Sequence, residues 1–502
     1  MTFKRWIIVA AAAVILPSVA YWMLPGKITG REKMFQDIAI AGRIHSSPVV
    51  WREGSEWAFA LVVALGTSSG TAMQIGSWSL RGTPLKGFPL ATRGPEEVPP
   101  GNQILGGPTS TPVWMDRSGR LHGLIPGQVA PGGSQPTLSL IAAPPAPISD
   151  SQGKVWGWVA LATDMQPMLE SRDVVAVFDG AGRIVVGYPA ELATWPENQS
   201  AVVDPRGEFV WVMLKSGQVD AFRLADGRRA AGYPTAAPGG LRPTQGYRLA
   251  ISPDGQMLYV ALGTAELLAV TARTGQTRRL AVANAKQITA VAYAGDKLCA
   301  LDEGTGRLLT LDGAGREVST LSIGDSSANL INNVVMLALP GKVPGLLILS
   351  VPQGDEQAQI EKLYAERTSP GIREVQSRLM AGIRRDLYGT RALTNVEERG
   401  IAEQVQMAKR DWLEQSMGID ALSGALAVKP VTRVLIVRDE GAGWLTLVND
   451  SLTDATPGTS FRGAPIAYPT MFSDSVTGKT VALLPLNAVG AARASVRIYT
   501  LN

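Results

Sequence analysis

Ser46-Ser47-Pro48-Val49-Val50-Trp51, followed by Phe59-Ala60-Leu61-Val62-Val63-Ala64-Leu65, then Gln74 to Leu80 and finally Gly87-Phe88-Pro89-Leu90, is one structural unit written out in full. It holds a short strand, a longer and more apolar one, a third, and an edge. The unit restarts at Ser110-Thr111-Pro112-Val113-Trp114, which echoes Ser46-Ser47-Pro48-Val49. A repeat of roughly 40 to 60 residues with four strands each is the signature of a propeller blade.

Other marks return at the same phase. Gly87-Phe88-Pro89 reappears as Gly187-Tyr188-Pro189 and Gly232-Tyr233-Pro234, and Asp179-Gly180-Ala181-Gly182-Arg183 reappears unchanged as Asp312-Gly313-Ala314-Gly315-Arg316. Asp-Gly pairs between apolar alternations mark hairpins, because the favoured two-residue turns need positive φ. Asp226-Gly227, Asp254-Gly255 and Thr274-Gly275 add further turns. Unit starts near residues 46, 110, 154, 200, 247, 289, 331 and 466 predict about eight blades, with seven and nine as the bounds. The last unit stops one strand short, and Phe35 to Ala41, ahead of the first blade, is the expected edge that closes the ring. The expected fold is therefore all-β, a single propeller over residues 35–502.

Composition agrees. Hydrophobic residues make up 45% and charged ones 18% of the 502 residues, which supports a large core, and 54 Gly with 33 Pro suit many short strands joined by tight turns. The net charge of +4 is small for this length and no Lys/Arg run follows the start, so nucleic acid is not an expected partner.

One region departs from the strand period. From about 355 to 425 charged residues become frequent and the apolar spacing changes to that of helices. Ser369-Pro370 reads as a capped helix start leading to Ile372, Val375, Leu379, Ile383 and Leu387, and Thr394-x-x-Glu397 as a capping box leading to Ile401, Val405, Ala408 and Trp412. This is an expected helical hairpin inserted in a late blade. Tyr364, Arg384, Arg385, Tyr388 and Trp412 are its candidate partner contacts. A lid packed on its own propeller is the competing reading.

At the other end Lys4 and Arg5 precede an apolar run from Trp6 to Leu24, nineteen residues that at a helical rise of about 1.5 Å nearly match a hydrocarbon core of roughly 30 Å. Residues 1–25 are expected to form a retained transmembrane anchor, with 26–34 as linker. A cleaved signal peptide ending at Ser18-Val19-Ala20 is the alternative. On either reading the bulk is exported, and the expected location is the inner membrane with the propeller in the periplasm.

The Ser-Ser-Pro-Val-Val strand starts, paired with Gly-Phe-Pro or Gly-Tyr-Pro ends, resemble bacterial FG-GAP-like, integrin-type propeller repeats. Leu267 to Leu280, with Ala269-Val270-Thr271-Ala272-Arg273-Thr274-Gly275, is similar to a degenerate repeat of the quinoprotein-like propellers that include outer-membrane assembly scaffolds. The two resemblances cover most of residues 40–350 and, weakly, the last forty, and they imply architecture rather than activity.

Chemistry is sparse. Cys299 is the only cysteine and lies in an apolar strand pattern, which makes it a buried spectator thiol and rules out an internal disulfide. With His45 and His122 as the only histidines, a three-histidine metal site is excluded. Gly66-Thr67-Ser68-Ser69-Gly70 matches the hydrolase G-x-S-x-G pattern, but it joins two strands where a nucleophile elbow needs a strand leading into a helix. Gly324-Asp325-Ser326-Ser327 reads as a loop. The carboxylate pairs Glu96-Glu97, Asp302-Glu303, Asp355-Glu356 and Glu397-Glu398 read as solvated or as complements to helix dipoles. Trp51, Trp114, Trp156, Trp158 and Trp211 read as blade packing. No catalytic residue, cofactor or metal is expected. The expected function is a non-catalytic, membrane-anchored periplasmic scaffold for an envelope assembly of the secretion, pilus or outer-membrane biogenesis kind. Two alternatives stay open, a quinone-dependent or carbohydrate-active propeller enzyme and a glycan-binding module.

Overall fold

The computed structural model describes residues 35–67, 70–91, 104–107, 112–116, 121–125, 138–140, 145–150, 155–164, 172–194, 196–239, 245–246, 248–323, 333–340, 344–351, 356–369, 431–441, 443–453, 455–457, 467–474, 476–488 and 493–501, with isolated positions between 371 and 422. The anchor, the linker, Ser68, Ser69, Gly324 to Ser327, Glu96-Glu97 and Glu397-Glu398 lie outside the described residues.

The described strands form eight sheets, one per blade of an eight-bladed propeller. Blade 6 has the full pattern: Ile288–Ala294, Lys297–Asp302, Arg307–Leu311 and Glu317–Ser322 run antiparallel from the axis to the rim. Burial follows position. Leu298 to Asp302 on the second strand are all buried because this strand packs against both neighbouring blades, whereas the rim strand alternates between exposed and half-buried. This is why second strands, such as Phe59 to Val63, read as unbroken apolar runs. Each apolar core described within the ring joins two blades. One contains Trp211, Met213 and Val219 of blade 4 with Leu258, Val260 and Leu268 of blade 5.

The Gly-aromatic-Pro marks were expected to be edge strands, and the structure gives them a different part. The fourth strands of blades 1 and 3 are only Leu90–Ala91 and Ala190–Glu191, beginning after or beside the proline. Glycine at positive φ and a proline without N–H interrupt the ladder. The motif instead clasps the next blade. The Tyr188 hydroxyl donates to the Arg223 carbonyl and the Tyr233 hydroxyl to the Ala272 carbonyl, each at 2.9 Å, and Gly187 and Gly232 lie against the Asp226-Gly227 and Thr274-Gly275 turns. The Phe88-Pro89, Tyr188-Pro189 and Tyr233-Pro234 bonds are cis. Blade 3 also begins earlier than its expected start near 154, with the inner strand Ala146–Ser149.

In blade 8 the strands Thr470–Ser473, Thr480–Ala488 and Arg493–Leu501 are joined at the rim by Phe35–Ala41. The Arg497 guanidinium donates twice to the Asp37 carboxylate, at 2.7 Å each. Nearer the axis the Ser47 hydroxyl accepts the Tyr468 N–H at 2.8 Å and Thr470 Oγ1 donates to the Pro48 carbonyl at 2.6 Å, which gives the Ser-Ser-Pro mark its work.

Antiparallel alternation sorts the turns onto two faces. Turns between first and second strands and between third and fourth strands share one, here the near face. Turns between second and third strands and the links from blade to blade share the other, the far face. Blade 7 is interrupted on the far face. Its second strand Gly345–Val351 and third strand Val431–Asp439 are neighbours, and the helical insert lies between them in sequence.

Candidate functional site

The insert begins with helix α1, Glu356–Arg367, upstream of the first helix start expected from the sequence at Ser369-Pro370. Helical backbone recurs at Gly371, Glu374, Ser377 and Arg378, and again at Val405, Ala408 to Arg410, Trp412, Leu413 and Gln415 to Met417. The apolar stripe of α1 is Ile360, Leu363 and Tyr364, and it meets Trp412, Leu413, Met417 and Leu422 in a core to which no described propeller residue contributes.

Of the five candidate contacts, two are brought together. Tyr364, 3% exposed, packs edge-on against Trp412 with ring centroids 5.4 Å apart, and the Lys409 ammonium lies 5.7 Å from the Tyr364 centroid while pairing with Glu361 at 2.5 Å. Tyr364 therefore holds the insert together and presents almost no surface to a partner. Arg384, Arg385 and Tyr388 lie outside the described residues. The outer positions that are described, among them Lys362, Glu366, Arg367, Glu374 and Arg378, are charged and exposed.

A second polar centre lies on the far face beside the axis. Gln245–Gly246, just ahead of blade 5, pairs in parallel with Asn333 and Val334 at the start of the blade 7 inner strand, so the chain crosses past blade 6, which stands between them. Beside this crossing are Arg248, fully buried, Thr289 of the blade 6 inner strand, and the Asp302-Glu303 turn. This pair was expected to be solvated; the structure buries Asp302 and half-buries Glu303. Asp302 is 0% exposed, with its carboxylate accepting the Gln287 N–H at 2.9 Å, the Lys286 N–H at 3.2 Å and the Thr305 hydroxyl.

Burial pushes the Glu303 carboxyl up to about 8; the Thr289 hydroxyl and the Arg248 guanidinium pull the other way, and Asp302 adds to the rise. Glu303 is thus a proton donor and acceptor poised near neutrality. Because its folded-state value lies above the ordinary 4.5, the stability it contributes is full below about pH 4.5 and is lost as pH rises through about 8. Glu303→Gln should leave stability nearly unchanged at pH 4.5 and raise it by on the order of a few kcal/mol at pH 8.5. Urea unfolding at the two pH values reads this, and parallel profiles for variant and wild type would contradict it.

The His122 ring stacks on Trp114 at 4.3 Å and its Nε2 meets Asp116 Oδ2 at 2.8 Å, while burial and Arg43 hold His45 below its usual value. Gly66, Thr67 and Gly70 of the G-x-S-x-G segment belong to the antiparallel strands Glu56–Thr67 and Gly70–Ser79, which pair up to Thr67 and Gly70, so a strand and not a helix follows the motif. No group of three or more His, Cys, Asp and Glu suited to a metal exists among the described residues. Cys299 is 0% exposed and burial pushes its thiol up to about 12. N-ethylmaleimide at pH 7.5 is expected to leave the native chain unmodified by intact mass and to add one label only after denaturation; rapid native labelling would overturn the placement.

No family model and no curated protein matches this chain. Among solved structures, the crystal structure of BamB from Moraxella catarrhalis is similar over 79% of this chain and 95% of that one, at a TM-score of 0.36 and 11% identity.

Proposed function

We propose that this chain is a non-catalytic propeller adaptor, held to the inner membrane by its N-terminal segment, that gathers proteins of a cell-envelope assembly in the periplasm. The observation that carries the reading is the insert, a charged helical module with its own core, issuing from one face of a closed ring. A lid would be expected to share its core with the propeller beneath. The aromatic side chains also support protein contacts over a sugar platform: none of the strongly exposed large hydrophobic residues described is aromatic, and Trp51, Trp114, Trp158 and Trp211 are buried in the blades. Classing the blades as FG-GAP-like or quinoprotein-like belongs to the same proposal and rests on the repeat marks.

Replacing residues 355–425 by a short Gly-Ser turn tests it. The ring should melt within a few degrees of wild type, and partners co-purified from native membranes should be lost. Retention of the same partners at the same stoichiometry would refute docking through the insert.

A second reading draws on Glu303. A carboxyl that holds its proton near neutrality beside a buried arginine is a fitting general acid or base for an enzyme at the far face. An activity of the purified chain that follows a pKa near 8 and vanishes in Glu303→Gln would move the assignment there.

A further inference from the structure

The rim strand of blade 8 comes from the opposite end of the chain, and everything that holds it there exists identically in a second copy. Asp37 meets Arg497 across 460 positions of sequence, and Ile38 and Ile40 share a core with Phe59, Leu483 and Ile498. The tie to the strand's own ring resumes directly after it: Arg43 pairs with Ala64 and Ile44 with Val63, and the Ile44 N–H and carbonyl are bonded to Asn487 at 2.8 and 3.1 Å. Gly42 alone joins the two parts. It takes φ +95, and an added Cβ there would overlap the Ala64 carbonyl oxygen.

We infer that the strand Phe35–Ala41 is exchangeable, so that two copies of this chain close each other's rings, each blade 8 taking its rim strand from the partner. The occupant is a second copy because it alone carries the matching pattern, an acid for Arg497 and two isoleucines for the core. An exchanged pair keeps these contacts of the strand and alters only the bend at Gly42, the condition under which swapping a terminal element costs little. Short hinges favour exchange, because a bend that one residue must make alone is readily traded for an extended run. From Ala41 to Ile44 the extended chain reaches about 10 Å, roughly two strand spacings. The receiving blade therefore lies directly beside the donor's own, and the two rings meet rim to rim through blade 8.

Charge reversal tests the exchange on the full-length chain purified in mild detergent. Asp37→Arg sets like charges opposite each other within one ring, and so does Arg497→Asp. Mixed in equal amounts, the two variants recover both opposite-charge pairs only by exchanging strands. A one-to-one heterodimer, read by native mass spectrometry and several-fold more abundant than the dimer of either variant alone, is the expected result. The double variant Asp37→Arg/Arg497→Asp restores the pair inside one ring and should return to the wild-type dimer fraction and melting temperature, which separates exchange from loss of folding. Gly42→Val cannot make the bend, since a β-branched residue is disfavoured at that φ, and should raise the dimer fraction several-fold in an otherwise wild-type chain. A mixture that stays monomeric overturns the exchange, and so does a Gly42→Val chain whose dimer fraction is unchanged. Dimers equally abundant in each variant alone overturn it as well, because that association runs through another surface.

Discussion

Gly232→Ala is expected to destabilise the propeller by about 3–4 kcal/mol, a loss well beyond that of an ordinary surface substitution. Two costs combine. Gly232 sits at φ +82, where a side chain costs roughly 1–2 kcal/mol. An added Cβ would also overlap the carbonyl oxygen of Thr274, a backbone atom of the next blade that can move only if the blade moves. Gly478→Ala separates the two, because Gly478 has φ +71 and open space around its Cβ position, so it should show the backbone cost alone. Gly187→Ala should behave like Gly232→Ala, since its Cβ would overlap the Asp226 carbonyl oxygen in the equivalent clasp between blades 3 and 4. Urea midpoints of the three variants at constant slope decide it. Equal losses at positions 232 and 478 would mean that the clasp contributes nothing beyond local turn conformation.

The clasp also marks where sequence reading stopped. Strand and turn alternation was legible because a second strand buried on both sides must be apolar throughout, as Phe59 to Val63 are, and because hairpins concentrate glycine; the blade count followed. Gly-Tyr-Pro was visible as a repeat, but its partner carbonyl lies 35 residues on from Tyr188 and 39 from Tyr233, in another blade. The available signal was the similar spacing from Gly187 to the Asp226-Gly227 turn and from Gly232 to the Thr274-Gly275 turn, with the Asp254-Gly255 turn intervening in the second case. Glu303 was misread for a similar reason. Two adjacent carboxylates in a turn look solvated until the crossing at Gln245–Gly246 and the buried Arg248 are placed beside them, and that crossing depends on pairing with a strand more than eighty residues away. In the insert, the charged run Glu356–Arg367 hides a stripe of only Ile360, Leu363 and Tyr364. Tyr364 and Trp412 were recognisable as anchors, but which surface they anchor is set by how the helices meet.

Removing the rim strand should be the most damaging truncation. A chain starting at Phe35 keeps the strand and is expected to melt with wild-type cooperativity, whereas a chain starting at Gly42 loses Ile38 and Ile40, 5% and 3% exposed, from the core they share with Phe59, Leu483 and Ile498. Burial of two isoleucines stabilises by about 3–6 kcal/mol together. The same cut uncovers the backbone of Arg493–Leu501, a free edge that invites pairing between molecules, so size-exclusion chromatography should show dimers and larger species. Asp37→Asn isolates the ion pair. Because Asp37 is 41% exposed, its loss should cost no more than about 1 kcal/mol, which leaves the strand rather than the charge as the closing element. If the chain starting at Gly42 stays monomeric and melts with the one starting at Phe35, the hydrogen bonds near the axis, from Tyr468 to Ser47 and from Thr470 to Pro48, hold the ring by themselves. The rim strand would then carry no load, and tension on the N-terminal segment could peel it away without opening the propeller.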